Sequence, residues 1–575
     1  MFVRIKTTPN SPRKSVQIVA SLRKGDKVTQ KIVRYVGIAM DDAELVQLTQ
    51  LAEVIKAKME DEATPSLFSA DQLSKLNKNA QETERLKVLN EEGKHFQVDL
   101  RDLEEEDRVV EGIHEVYGAL YEQLGLSEVF EVRTKRSAEL FREIVLARVA
   151  RPLSKLGTVN YLERQFAQQL DVNAIYRMMD QLDERRIHKL KAQIYKETRS
   201  LFAQKLDVLF FDVTTLYYES FEEDGFRNKG YSKDMKFNQP QVVLALMVTK
   251  EGLPVGYEVF PGDTYEGHTF IPCLKELKEK YGVNRVIFVA DSGMCNKANL
   301  DHLEAEGFEY IIGARLKGQT QQVTDQILSD QYLQINSNEA IQEIAHHKGR
   351  LIVHYAKDRA RKNAGDRRRA IEKLRHKLNT KSAEKPGEKS QERSEGKSEG
   401  KGLRAIDLLS NYGYKKYLKE ATPSKFVLDE AKILEDAKWD GLLGVISNAK
   451  DLDPLALIRQ YQQLWTIEDA FRIHKHQLAI RPVYHFKKER IKAHIAICFA
   501  AFTLMMHLRH RIKLQQAEMS INEVREELLC VQSSIYYHKK TKIRYRMPGK
   551  LSDRAKKIYK VMGINRFMTP RIISA

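Results

Sequence analysis

The sequence predicts an α/β protein: a mixed sheet with helices on both faces, interrupted by a long insertion and preceded by a helical region and a small α+β module. Three observations carry that reading. Leu206–Phe211, Gln241–Val248, Leu253–Phe260, Arg285–Ala290 and Tyr310–Arg315 are short, nearly continuous apolar runs, the length and composition of buried strands. Thr269–Tyr281 and Asn296–Glu306 fall between the later runs with helical spacing, giving the order β-β-β-α-β-α-β. The strand pattern then stops, and a helical pattern resumes at Leu455 and continues to about Lys513.

Taken in order, Val16–Leu22 and Lys27–Val36 are β-rich runs joined by Arg23-Lys24-Gly25-Asp26, a hairpin, followed by a helix over Asp41–Met59. Residues 1–60 therefore form a basic hairpin-plus-helix module, and 61–108 a linker with some helix. Residues 109–203 form a helical region that includes Leu140–Ala150 and Val172–Leu182. The first part of the sheet domain is 204–318, with Lys250-Glu251-Gly252 turning between its second and third strands. Residues 319–449 are an insertion. Within it Arg359–Leu378 reads as a basic helix, and 381–402 is a Lys-, Glu-, Ser- and Gly-rich segment that cannot order itself by burial. Phe426–Asp429 and Leu442–Ser447 read as strands around Trp439. The second part of the sheet domain is 450–513, and 514–575 is a basic C-terminal region.

Charge narrows the function. The chain of 575 residues carries a formal +17, but Met1–Met40, Lys357–Arg404 and Ile535–Ala575 hold +8, +9 and +11, which leaves −11 for the remainder. Basic blocks on a slightly acidic body suit a polyanion, nucleic acid first, against the plainer reading of solvated surface charge. Four cysteines with no CxxC argue against structural zinc and a disulfide framework, and fit the cytoplasm. The opening residues lack the apolar core of a signal peptide, and Ile495–Met506 is about half the length of a membrane span, so no membrane role is expected.

The chemistry is carried by three acids. Asp212 ends the run VLFF and Asp291 follows VIFVA, each a carboxylate at the end of a buried strand. Either alone could be a strand cap or the start of a turn. In YQQLWTIEDAFRIHKH the residues Tyr461, Glu468 and Lys475 recur at helical intervals on one face, and Glu468 could instead pair with Arg472 one turn on. Together, two strand-end aspartates and a helical glutamate offer oxygen-only ligands suited to Mg²⁺, with Mn²⁺ as a substitute. Two such ions about 3.5–4 Å apart would clamp an in-line phosphoryl displacement.

Strand order and acid placement resemble the ribonuclease H-like catalytic domain of DDE transposases. YQQLWTIEDAFRIHK resembles the Tyr-Arg-Glu-Lys signature of one insertion-sequence branch of them; Arg481–His485 (RPVYH), Ala493–Leu504 and the opening hairpin are similar to the same group, from Met1 to about Leu508. The resemblance implies cut-and-paste transposition in a prokaryotic cell. Asp212, Asp291 and Glu468 would be catalytic and metal-binding, the partners would be terminal inverted repeats and target DNA, and a homodimer would hold two ends. It also implies that the insertion is mainly β. Tyr461 and Lys475 take the DNA-contact roles of the signature; the position of its arginine is Leu464, which has no donor. Further DNA contacts are expected at Arg472 and at Arg23 and Lys24 of the hairpin turn. Trp439 is a candidate surface for stacking an unpaired base, with ordinary burial as the alternative. The same acids would also serve a ribonuclease H-like nuclease or resolvase without strand transfer, and a non-catalytic DNA-binding relative is the third reading.

Overall fold

The computed structural model describes residues 2–7, 14–24, 27–39, scattered positions between 45 and 56, 98–201, 208–219, 222–231, 238–281, 287–294, 296–329, 331–383, 416–422, 425–516 and 518–574. The chain divides into two compact units, Met1–Val286 with Leu464–Ala575, and Ile287–Gln463.

The first unit opens with the expected hairpin, β2 (Lys14–Lys24) and β3 (Lys27–Ala39), to which the sequence reading adds no third strand. The structure has one: β1 (Phe2–Thr7) pairs antiparallel with β2. Leu45, Leu48, Thr49, Ala52, Glu53 and Lys56 are helical, and Leu48 and Ala52 close a small core with Val16, Ile18 and Val36; the rest of the expected 41–59 helix lies outside the described residues. Most of the 61–108 linker does so too. Its last part is not linker: β4 (Leu103–Val110) pairs with β16 (Gln532–His538), which pairs with β17 (Arg544–Pro548), and that with β18 (Arg571–Ser574). An acid-rich strand whose partner lies more than four hundred residues away leaves no local signal.

Five helices follow: α1 (Gly112–Gln123), α2 (Lys135–Ala150), α3 (Lys155–Phe166), α4 (Val172–Gln181) and α5 (Glu184–Ser200). Side-chain caps set the starts of the last three: Ser154, Asp171 and Asp183 accept from Gly157, Asn173 and Arg186 amides at 3.1, 2.9 and 2.9 Å. β5 (Val208–Tyr217), β6 (Gln241–Thr249) and β7 (Pro254–Pro261) form an antiparallel meander. Its second turn needs Gly252, whose φ is +79° and where a Cβ would stand 2.9 Å from Met506 Cε. α6 (Phe270–Tyr281) follows.

The second unit holds β8 (Ile287–Ala290), α7 (Lys297–Ala305), β9 (Glu309–Gly313), α8 (Gln321–Ile327), β10 (Leu333–Asn336), β11 (Glu339–His346), β12 (Gly349–Ala356), α9 (Lys357–Ala383), β13 (Leu418–Thr422), β14 (Lys425–Leu428), α10 (Glu430–Ala437), β15 (Leu442–Ser447) and α11 (Pro454–Gln462). Its sheet runs β10–β11–β12–β15–β9–β8 and is mixed: β8 and β9 are parallel, the other pairs antiparallel. The strand pattern therefore does not stop at residue 319. β10–β12 extend the sheet through β15, which lies directly on β9, and Asn448 fastens that edge by accepting from the Tyr310 amide at 2.9 Å and donating to Phe308 O at 3.0 Å. α9 carries three residues of the 381–402 segment; 384–402 lies outside the described residues.

The first unit resumes with α12 (Trp465–Arg472), a π-helical turn at Ile473–Gln477, α13 (Lys488–Leu514), α14 (Ile521–Leu529) and α15 (Asp553–Met562). α13 contains the apolar run near residue 500. It is long and apolar enough to cross a membrane, yet 94% of its apolar window is buried inside the protein, where it packs on α1, α2, α4, α5 and β7 as a core helix. The succession of three antiparallel strands, helix, strand, helix, strand along the chain is that of a ribonuclease H-like α/β core.

Candidate active site

Asp212 does not end its strand. The ladder to β6 continues to Tyr217, with Asp212 opposite Leu246, because the Val, Thr and Leu residues after it keep a β preference despite the acid. It is the one half-buried position between Leu209 and Leu216, all others there being buried. Its Oδ1 accepts from the Val213 amide at 2.7 Å. Glu468 is exposed on α12, which buries Ile467, Ala470 and Phe471 and packs on β5 and β6. The first unit thus carries Glu468 on a helix resting on the strand that holds Asp212.

Asp291 does sit where the sequence put it, directly after β8. It is half-buried, and its Oδ1 accepts from the Gly293 amide at 2.7 Å while its carbonyl accepts from Met294 at 3.2 Å, so a short local turn fixes the carboxylate. Tyr461, on α11 of the same unit, reaches this turn. A Cβ added at Gly313 would lie 2.3 Å from the Tyr461 hydroxyl and 3.0 Å from the Ser292 amide, so the glycine of YIIGAR makes room for the tyrosine beside the strand end. No local signal marks Gly313; its reason is a neighbour nearly 150 residues on.

The signature segment is not one helix. α11 ends at Gln462, Gln463 has ψ near 3°, and α12 begins at Trp465 with Leu464 at its cap and no side-chain cap bond. Tyr461 and Glu468 therefore lie on different helices, and Lys475 lies in the π-turn, half-buried. Spacing at three and four residues holds over each short piece, which is why the break is silent in the sequence. Arg472 pairs with Asp469, not Glu468. Asp469 also accepts from Arg509 at 2.8 Å; burial pushes its carboxyl up, but the two arginines outweigh this and hold it below the usual range. Glu468 has no ion pair among the described residues, so its carboxylate is not spent on its own helix.

Residues 203–504, more than half of the chain and inclusive of all three acids, match the family model described as Transposase DDE domain. The chain belongs to the DDE transposase family. Among solved structures, the transposase is similar to one titled as a cryo-EM structure of the piggyBac transposase synaptic complex with hairpin DNA, at 9% identity and TM-score 0.35, covering 73% of this chain and 77% of that one. It is also similar to the Mos1 transposase paired-end complex with left transposon end, at 17% identity and TM-score 0.14, covering 32% and 58%. Likeness at those scores adds nothing to the family assignment. Comparison with curated proteins gave no match.

The donor chemistry of the transposase fits hard divalent ions: three carboxylates on ordered backbone, two half-buried and one exposed. Among the described residues no three His, Cys, Asp or Glu side chains are gathered closely enough to form a ready-made metal cage.

Other predicted residues fall less simply. Arg23 and Lys24 close β2, paired with Val28 and Lys27; the placement of their side chains is outside the description. Trp439 is half-buried and lines a cleft of about 390 Å³ in the second unit, with Lys317 Nζ 5.8 Å from its ring. Lys317, Lys416 and Tyr417 all bond Asp436, whose carboxyl they depress against the opposing effect of burial. The C-terminal block is heavily neutralised: Lys539, Lys540 and Arg544 meet Glu104, Asp102 and Glu106 at 3.4, 2.7 and 2.6 Å, and Arg566 is buried on Glu111.

Proposed function

We propose that this transposase performs cut-and-paste DNA transposition, using Mg²⁺-dependent cleavage at the ends of its element and transfer of the freed 3′-OH into target DNA. One observation carries the reading: within a strand otherwise buried from Leu209 to Leu216, a carboxylate is kept half-buried, and the helix resting on that strand exposes a second. A half-buried carboxylate is favoured in its charged form by nearby positive charge, and hard divalent ions supply it. Asp212, Asp291 and Glu468 supply the carboxylates. Divalent ions held there would supply activation of the attacking oxygen and stabilisation of the leaving one. The chain's own groups do the rest. β5 and the Asp291 turn fix the carboxylates, Tyr461 lies against the turn, and Lys475, with Arg472 when Asp469 yields it, holds phosphate oxygens near the cut.

The open cleft beside Trp439 suits an unpaired base, with Lys317 beside the ring and Arg359 and Arg367 on the wall. The N-terminal module with Arg23 and Lys24, and the helices to residue 203, would read the terminal inverted repeats. A homodimer would bring two ends together, in the cytoplasm of a prokaryotic cell. Incubation of a labelled end duplex and a target plasmid with the protein and Mg²⁺ tests the reading: a covalently joined product is expected. Cleaved ends without joining would make it a nuclease or resolvase, and binding without cleavage a non-catalytic relative.

A further inference from the structure

We propose that the segment Arg481–Lys488 is a stacking platform for an unpaired DNA strand beside the cut; the proposal rests on the transposase reading and names the form of DNA this face takes. Between the π-turn and Lys488, which opens α13, the segment is neither helix nor strand, and burial alternates residue by residue from Val483 to Phe486, as in an extended chain. Extended chain sends alternate side chains to opposite sides, and here the alternation is sharp. Val483 is buried and its amide donates to Tyr217 O at 3.4 Å, while His485 turns inward to the rings of His494 and Tyr176. Tyr484 and Phe486 point out, 62% and 61% exposed. Two large rings left in water two residues apart are costly unless something covers them.

The spacing says what could. Residues i and i+2 of an extended chain are about 6.6–6.8 Å apart, twice the roughly 3.4 Å step of one nucleotide along a strand. Two rings so spaced can take one base between them or carry two successive bases, and any base will serve because each has a π face. Charge agrees. Arg490 and Lys492 are occupied by Asp180 and Glu184, but Lys487 and Lys488 are exposed beside the rings, with Glu489 next to them and Asp180 near Lys487; Lys488 Nζ lies 5.0 Å from the Phe226 ring, and Arg481 lies over the Tyr217 ring at 5.3 Å. Arg227, held by Asp224 at 2.8 Å, sits 5.1 Å from the Phe486 ring and props it rather than reaching outward. Place agrees as well. Tyr217 ends β5, five residues beyond Asp212, or about 17 Å along the strand, a distance of roughly five stacked nucleotides. DNA opened at a cut near Asp212 would run its unpaired strand over these rings.

The test uses the full chain without metal, so that nothing is cut, and reads fluorescence anisotropy with a 20-nucleotide mixed-sequence single strand and the duplex of the same sequence. Y484A/F486A should weaken the single strand about fivefold or more for each ring, the lower end of alanine effects on base stacking, and the duplex by less than about threefold. Y484W/F486W should bind the single strand at least as well as the parent. K487A/K488A should flatten the salt dependence by about 0.7 in log–log slope for each phosphate lost. Unchanged single-strand affinity in Y484A/F486A overturns the proposal. So does an equal loss on both DNAs, or a change confined to self-association in sedimentation, which would make the face a contact between copies. If the alanine pair melts early, the tryptophan pair decides: weakened single-strand binding there is contrary. A parent protein that never cuts in Mg²⁺ would refute the transposase reading without touching this result.

Discussion

Asp212 lies inside β5 with five strand residues after it, whereas Asp291 follows the last residue of β8. One carboxylate is held by a ladder and the other by a three-residue turn in which its own side chain takes the Gly293 amide. A position inside a strand has its backbone fixed from both directions, so its side chain is free to be an odd one. A position past the strand end must supply its own rigidity, and there the acid's own side chain builds the turn that fixes it. Tyr461 and Gly313 add to that support around Asp291.

The largest effects should ignore this difference. Replacing Asp212, Asp291 or Glu468 by Ala should lower single-turnover cleavage of an end duplex by about 10³-fold or more, because each loss removes charge stabilisation on both reacting oxygens. Near-parental cutting by any one variant removes that residue from the site. Next comes Lys475→Ala, expected to slow cleavage by roughly 10²-fold with a much smaller loss of duplex affinity, the scale for one donor to a developing charge. Parental kinetics would leave Lys475 as an ordinary half-buried residue of the π-turn.

Stability should separate the two surroundings. The unit with β5 buries His474 and His507 and half-buries His485 and His510; loss of water pushes the pKa values of His474, His485, His507 and His510 down to about 4, 3, 3 and 4, and that of buried His494 well below its usual value. Unfolded, these rings take protons below about 6.5; folded, they do not until near 4. The unfolded state therefore binds more protons between those limits, and stability falls as pH drops through that window. A melting temperature lower by several degrees at pH 4.5 than at pH 7 is expected, from a cost on the order of 1 kcal/mol or more per ring; a flat profile would mean the rings are already solvated. In the other unit, Gly313→Ala should cost roughly 1–3 kcal/mol by urea unfolding, since a methyl there meets the Tyr461 hydroxyl. The smallest effect is Asp291→Ala, which loses one side-chain-to-backbone bond worth about 1 kcal/mol, while Asp291→Asn should keep the turn and lose only the chemistry.

The same contrast explains what the sequence disclosed. β6, β7, β8 and β9 were legible because their apolar runs coincide with the strands, and Asp291 because its strand ends where the run does. β5 was half legible: the apolar run stops at Phe211, but Thr214, Thr215 and Tyr217 continue the ladder. β10–β12 were missed because half-exposed strands with Gln, Glu and His alternate weakly. β4 was missed because Leu103–Asp107 is acidic and its partner is remote. The break at Gln463 and the π-turn at Lys475 leave helical spacing nearly intact, so only the backbone reveals that the signature occupies three pieces.

The central claim is that Asp212, Asp291 and Glu468 together hold the catalytic ions. Fe²⁺ put in place of Mg²⁺, with ascorbate and peroxide, cuts backbone next to the ion, and the fragments can be mapped. Scission confined to the segments around residues 212, 291 and 468, lost at all three when any one acid is replaced by Ala, is the predicted result. Scission elsewhere, or loss at only the replaced position, would contradict it.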